Sequence, residues 1–414
     1  MSKLVSRNQL VKLAITIGLV FVFALQSGAQ STNTTLKDGH WNPHVKARLE
    51  FLIAGSAGQG KVAVFDVDNT MLCRDIGEST FAAMVEDGTL SPDKIPASIS
   101  PTFMLNDKKV GIKDSKDLTV YYEDFLSATK HHSAEKTPYS NGYAWVVQIM
   151  AGMTPADILP YSEKAYADGM ALADGDSKDL NESKINGYRR PFFYPEMVDL
   201  VGVLLKNGYD VYFLSASNVW TVRWMITKQL LPMVQELHGN DLKIAPDHVI
   251  GVNVLMKDKR DGHLYKDLML AKENPAYANM DMKELANYEL TTQLGYPLSG
   301  YFGKLANILK HISLERPFLI AGDSPNDHPM LNWSGHRLWL TRLEKKGYQQ
   351  KTAKLMADSL PGEWLVQPVL YKKAPGFVST AADLDQRLAK KPKKLKSAHE
   401  VSDIIKKTGN LQQF

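Results

Sequence analysis

Short, continuous apolar runs punctuate this chain, separated by longer stretches in which apolar residues recur every third or fourth position. Val62–Phe65, Tyr209–Leu214, His248–Leu255 and Pro317–Ala321 are runs of the first kind. They are rich in β-branched and aromatic residues and bounded by Gly or polar residues, so they predict buried strands. Arg337–Thr341 predicts an edge strand. Helical spacing marks Val45–Ala54, Pro195–Asn207 (closed by Gly208) and residues 219–246. Between the first two strands the pattern is helical: Ser79–Val85, Thr119–Thr129, Gly142–Met153 and Ala156–Met170 carry it, with no further buried-strand run among them. Lys257–Gly262 suits a tight hairpin turn. From there to about residue 299 the periodicity is broken, and a second, smaller lid is one use for such a segment.

The two ends differ from the middle. Lys3, Arg7 and Lys12 precede the apolar run Leu13–Leu25, and Ser27-Gly28-Ala29 follows it. This reads as a secretory signal cut after Ala29, because the run is short for a membrane-spanning helix. The expected location is the periplasm or the cell exterior, without stable membrane association after cleavage. Gln30–Gly39 is polar and expected to be mobile. The Lys-rich stretch Lys390–Lys396 is expected to be a solvated or disordered tail.

Composition changes this picture little. The 414 residues are 44% hydrophobic and 23% charged, enough apolar content for a large core. Formal net charge is +4, and loss of the three leader cations leaves +1. With no basic, aromatic-interleaved patch, nucleic acid is excluded as an expected partner. The single cysteine, Cys73, allows no internal disulfide and reads as a small buried residue. Oligomeric state leaves no mark in the sequence.

The chemistry concentrates where the first strand ends. Asp66 and Asp68 stand one residue apart after Val62–Phe65, followed by Thr70. A like-charge pair at that place calls for a cation. It suits Mg²⁺, which takes carboxylate oxygens, and it suits a carboxylate that attacks phosphorus. The nearby Gly55–Lys61 stretch approaches a phosphate-binding loop. It precedes a strand, however, and Val62 follows its lysine, so it is a helix-to-strand connector.

Asp66-x-Asp68-x-Thr70 resembles the first signature of the haloacid dehalogenase (HAD) superfamily of phosphohydrolases, and three later stretches resemble the others in order. Ser215 ends the second strand, Lys304 opens a helical run, and Gly322-Asp323-Ser-Pro-Asn-Asp327 follows Pro317–Ala321. The resemblance implies an α/β fold: a Rossmann-like parallel sheet built from residues 30–75 and 191–345, a helical cap inserted at 76–190 as in the phosphoserine-phosphatase-like branch, and a C-terminal extension at 346–414. It also implies roles. Asp66 would form an aspartyl-phosphate, and Asp68 would act as acid and then base. Ser215 would bond a phosphoryl oxygen and Lys304 would steady the shared negative charge. Asp66, Asp68, Asp323 and Asp327 would hold Mg²⁺. Dehalogenating members lack an acid at the place of Asp68, so phosphoryl transfer is the expected reaction.

The substrate is expected to be a small phosphate monoester. Aromatic faces with carboxylates suit a quaternary ammonium, and Tyr121-Tyr122-Glu123-Asp124-Phe125 offers both, with Trp145 on a later helix. Helix aromatics packed in a core are the competing reading. Asp75 and Glu78 after the first signature, and Asn218 after the second, complete the candidates: Asp75, Tyr122, Glu123, Asp124 and Asn218 for substrate. Within the superfamily the chain looks most like the bacterial phosphorylcholine phosphatases. A broad-specificity or phosphoserine-type exported phosphatase, a phosphotransferase, and a non-enzymatic exported binding protein on the same scaffold are the alternatives.

Overall fold

The computed structural model describes residues 33–115, 117–136, 141–173, 183–372, 374–408, 411 and 414. The expected leader lies outside them. Thr34–Phe414 form one unit. Among the described residues no helix is long and apolar enough to cross a membrane.

The apolar runs make a central seven-stranded sheet: β1 (Val62–Phe65), β2 (Asp210–Asn218), β3 (Val249–Val252), β4 (Leu319–Gly322), β5 (His336–Arg342), β6 (Glu363–Leu370) and β7 (Gly376–Phe377). Their order is β7-β6-β5-β4-β1-β2-β3, and every pair is parallel except β6 with β7. β1 lies between β4 and β2, in register Ala63 with Leu319 and Val211. Central parallel strands are covered on both faces, which is why they read as unbroken apolar runs. The fold is thus α/β with a mostly parallel sheet.

The chain leaves the sheet at Leu72–Cys73 and returns at Phe192–Phe193, and these two segments pair antiparallel. Between them stand α1 (Ile76–Glu86), α2 (Leu118–Lys136), α3 (Asn141–Gln148) and α4 (Pro155–Tyr166). Asp75 caps α1, its Oδ1 accepting from Glu78 N at 2.8 Å. Thr154 and Asp157 close a capping box on α4, with Pro155 in its first turn. Two small hairpins, Phe103–Leu105 with Lys108–Val110 and Lys184–Ile185 with Tyr188–Arg189, accompany the helices. Gly142–Met153 is helical only to Gln148.

Several expectations are corrected. His248–Leu255 is two strands. β3 stops at Val252, and Val254–Asp258 turns into a separate antiparallel sheet with Leu264–Tyr265 and Tyr288–Leu294. The Lys257–Gly262 turn returns the chain and supplies that second half with a partner; Gly262 takes φ +77°. The segment to residue 299 belongs to this sheet and to short helices, and none of it lines the cavity over Asp66 and Asp323. Arg337–Thr341 is no edge, because β6 continues the sheet beyond it.

Residues 346–414 are no tail. They supply β6, β7 and the helices Lys346–Ala357, Ala381–Leu388 and Pro392–Lys406. The lysines at 390, 391, 393, 394 and 396 are the exposed face of an amphipathic pair whose other face, with Leu388, Ala398, Val401 and Ile405, is buried. Ile405→Ala should therefore lower the urea midpoint by the equivalent of about 3 kcal/mol; an unchanged midpoint would mean the helix is a solvated appendage. Of Gln30–Gly39, residues 30–32 lie outside the described residues; in the rest, Leu36 is buried with its N–H on Glu50 Oε1, and Lys37 N donates to Asp199 Oδ2.

Candidate active site

The carboxyl ends of β1, β2, β4 and β5 meet below the cap, where open parallel sheets place ligands. Asp66 follows β1 directly, its N–H bonded to Ala321 O of β4 at 3.0 Å. Thr70 Oγ1 donates to Asp66 Oδ2 at 2.8 Å, and Lys304 Nζ donates to Asp66 Oδ1 at 2.5 Å. Lys304 comes from the short helix Phe302–Asn307 and is itself buried. It also donates to Asp327 Oδ1 at 2.6 Å. The other oxygen of Asp327 accepts from the N–H groups of Asp323 and Ser324 and from Ser324 Oγ. Asp327 is thus fully engaged and shapes the loop after β4.

Asp323 is different. Arg342, the last residue of β5, brings a guanidinium nitrogen to 2.5 Å from its Oδ2, an ion-pair contact not aligned as a hydrogen bond. That oxygen is buried and accepts no hydrogen bond. Oxygens of Asp66, Asp323 and Asp327 lie within 4.8 Å of one another. With Asp68, four acids face two cations, Lys304 and Arg342, leaving a formal charge of −2. Burial, then the charge of Asp327, pushes Asp66 well above the usual carboxylate range against the pull of Lys304. Burial and neighbouring acids raise Asp323 to about 7, despite Arg342. A buried anionic excess around an acceptor with no hydrogen bond fits a hard divalent cation such as Mg²⁺.

Two of the expected site residues bond to each other here. Asp68 stands outside the three-carboxylate group, because its oxygens are already taken. Oδ1 accepts from Ile76 N at 2.8 Å, and Oδ2 accepts from Ser217 Oγ at 2.8 Å and Ser215 Oγ at 3.0 Å. The Ser215 hydroxyl donates to Asp68 and accepts from Ser217 N at 3.0 Å. Burial raises Asp68 too, favouring a protonated carboxyl.

Above these groups lies a cavity of about 460 Å³. Asp75, Glu78 and Glu123 line it from the cap, and Tyr301, Arg342, Lys345, Tyr348 and Lys351 from the opposite side. A smaller recess adjoins it: Asp75, Glu78, Tyr143, Ala216 and Ser217 line both, and Phe81, Tyr122 and Asn218 line the recess. Asp75 is held well above its usual range by burial, then by the charges of Asp68 and Glu78. Among the described residues no cation pairs with it. Asn218 caps the helix Val219–Trp224 through Oδ1, and its Nδ2 has no hydrogen-bond partner.

Asp124 does not join this group and lines neither space. Successive helix residues point about 100° apart, so the face of α2 that presents Glu123, Leu126 and Ser127 turns Asp124 away. Tyr121, Phe125 and Trp145 pack against one another and are core, as the competing reading held. Tyr143, Arg342, Lys345, Tyr348 and Lys351 were not singled out beforehand. Tyr143 lies two residues from Trp145, whose aromatic signal was read instead; the other four carry no local signal.

No family model matches the chain. It is 27% identical over 341 residues to a phosphorylcholine phosphatase of Pseudomonas aeruginosa, covering 79% of this chain and 88% of that one. Among solved structures, a functionally uncharacterised protein from Anaerococcus prevotii superposes with a TM-score of 0.52 at 18% identity, over 84% of this chain and 98% of that one. A HAD family hydrolase from Salmonella enterica serovar Typhi gives a TM-score of 0.33 at 14% identity, over 67% and 62%.

Proposed function

We propose that this protein is a phosphoric monoester hydrolase of the haloacid dehalogenase type, exported and Mg²⁺-dependent, acting on phosphocholine or a similar small amine-bearing monoester. The observation that carries the reading is one cavity with two unlike ends: Asp66, Lys304 and Asp323 at its floor, and Asp75, Glu78 and Tyr143 on its cap side. The first set suits a phosphoryl group. The second pairs acids with an aromatic face, which suits a desolvated ammonium.

The chemistry follows from the side chains. Asp66 attacks phosphorus in line and becomes an aspartyl-phosphate, while the P–O bond to the alcohol breaks. Asp68, whose hold on a proton is strengthened by burial and which is aimed by Ser215, Ser217 and Ile76 N, gives a proton to the leaving oxygen. It then takes a proton from the water that attacks the intermediate, which regenerates Asp66 and frees phosphate. Lys304 offsets the negative charge shared by Asp66 and the phosphoryl oxygens. Mg²⁺ held by Asp66 and Asp323, with Asp327 ordering the loop, would neutralise phosphoryl oxygens.

Release of phosphate from phosphocholine, phosphoserine and p-nitrophenyl phosphate tests this, with Mg²⁺ and with EDTA. Chelation should remove activity on all three, and added Mg²⁺ should restore it. Glu78→Gln should raise KM for phosphocholine about tenfold, a loss of roughly 1.4 kcal/mol, and leave p-nitrophenyl phosphate unaffected. Turnover of the aryl ester alone would sink the ammonium reading. Preference for phosphoserine would favour a second reading, in which Lys351 and Lys345 on the far side meet a carboxylate.

A further inference from the structure

A separate cavity of about 120 Å³ lies between the end of β3 and the helical run that starts at Phe302. It shares no lining residue with the catalytic cavity. Ile250, Gly251, Leu268 and Pro297 give it an apolar floor, and Lys266, Lys310 and His311 stand around it. Lys272 is close enough to act on His311 as well. None of these lysine ammonium groups has a hydrogen bond or ion pair among the described residues. The cavity's carboxylate, Asp267, is already spent: it takes two hydrogen bonds from Arg223, at 2.8 and 2.6 Å, and one from Tyr277.

Two exposed ammonium groups, Lys266 and Lys310, and the His311 imidazole thus line one concavity, with Lys272 close by and the lining acid, Asp267, already paired. Gathering like charges is unfavourable unless an anion joins them. Burial and the three lysines hold His311 below its ordinary range, as that field requires. The volume suits an ion of phosphate size and excludes a nucleotide, and an apolar floor beneath cationic donors suits a compact oxyanion that they can bond directly.

We propose that this cavity binds a phosphate-type oxyanion through Lys266, Lys310 and His311. Free phosphate and a phospholipid headgroup carry the same chemistry. The site stands apart from the reading of the catalytic cavity but borders it mechanically. Lys310 lies six residues beyond Lys304 on one helical run, about 9 Å along its axis.

Lysine acetylation of the full protein, read by peptide mass spectrometry, tests the proposal. Inorganic phosphate above its dissociation constant should slow modification of Lys266, Lys272 and Lys310 by roughly threefold. Lys393 and Lys394, on the other basic surface, serve as the control and should change little. Protection by phosphate supports a free oxyanion as ligand; protection by phosphatidylglycerol vesicles alone, beyond the control lysines, supports the lipid headgroup. Equal slowing at all lysines would reveal bulk ionic screening and overturn the site, as would no slowing in either arm. In Lys266→Gln/Lys310→Gln, two exposed substitutions, phosphate should no longer protect Lys272. Retained protection would also overturn it.

Discussion

Asp66→Asn should reduce phosphate release by roughly 10⁴-fold or more while leaving the protein as stable as before, or more so. The activity half of this expectation rests on Asp66 as nucleophile, for which an amide is no substitute. The stability half rests on burial. Burial and Asp327 raise the carboxyl of Asp66 well above its unfolded value. An acid shifted in that direction opposes folding once pH exceeds its unfolded pKa, so removing its charge relieves the folded state. The amide keeps the size of the side chain. Its oxygen can accept from Lys304, and the Thr70 hydroxyl can rotate to accept from its NH₂. Phosphate release and urea unfolding measured on the same preparation separate the outcomes. A variant that lost activity only in proportion to lost folding would deny Asp66 a chemical role, and one that retained activity would overturn the mechanism.

The largest expected loss of stability lies elsewhere. Asp267→Ala should cost about 3–5 kcal/mol, because it strands a buried guanidinium. Arg223 is fully buried on the helix that follows β2 and binds Asp267 with two nitrogens, together with the carbonyls of Pro246 and Val249. Tyr277 and Trp220 extend the network, Trp220 Nε1 donating to Tyr277 Oη at 2.8 Å. Replacing both charges, as in Arg223→Met/Asp267→Leu, should recover much of the loss, since no buried charge then lacks a partner. Urea midpoints of the single and double variants read this directly. A single-variant cost below about 1 kcal/mol would mean that water reaches Arg223 and the pair is in effect exposed.

Neither Arg223 nor Asp267 announces itself in the sequence, since each becomes a pair member only when residues 44 positions apart meet. The strand that carries Asp66 is the opposite case. A parallel strand buried on both faces must be apolar throughout, and its first polar residue marks the sheet's carboxyl edge, so Val62–Phe65 and Asp66 locate strand and site together. Gly322 and Asp323 repeat that logic. β6 escaped notice because Gln367 and Pro368 interrupt its apolar run. Inside the sheet Gln367 is buried and satisfied by Asn42 N and by the carbonyls of Pro368 and Val378, partners that no linear pattern reveals.

The order of the four short motifs, the helical character of the insertion and the class of chemistry were written in local pattern, because strand ends and turns are specified by neighbours in the chain. The division of labour among the acids was not. Asp66 and Asp68 differ by two positions, yet one turns toward Lys304 and Asp323 and the other toward Ser215 and Ser217. Glu123 and Asp124 are adjacent, yet one faces the cavity and the other does not. Arg342 meets Asp323 only because β5 lies beside β4. Side-chain direction, burial and the sum of nearby charge depend on which elements pack together, and those quantities decided the role of each carboxylate.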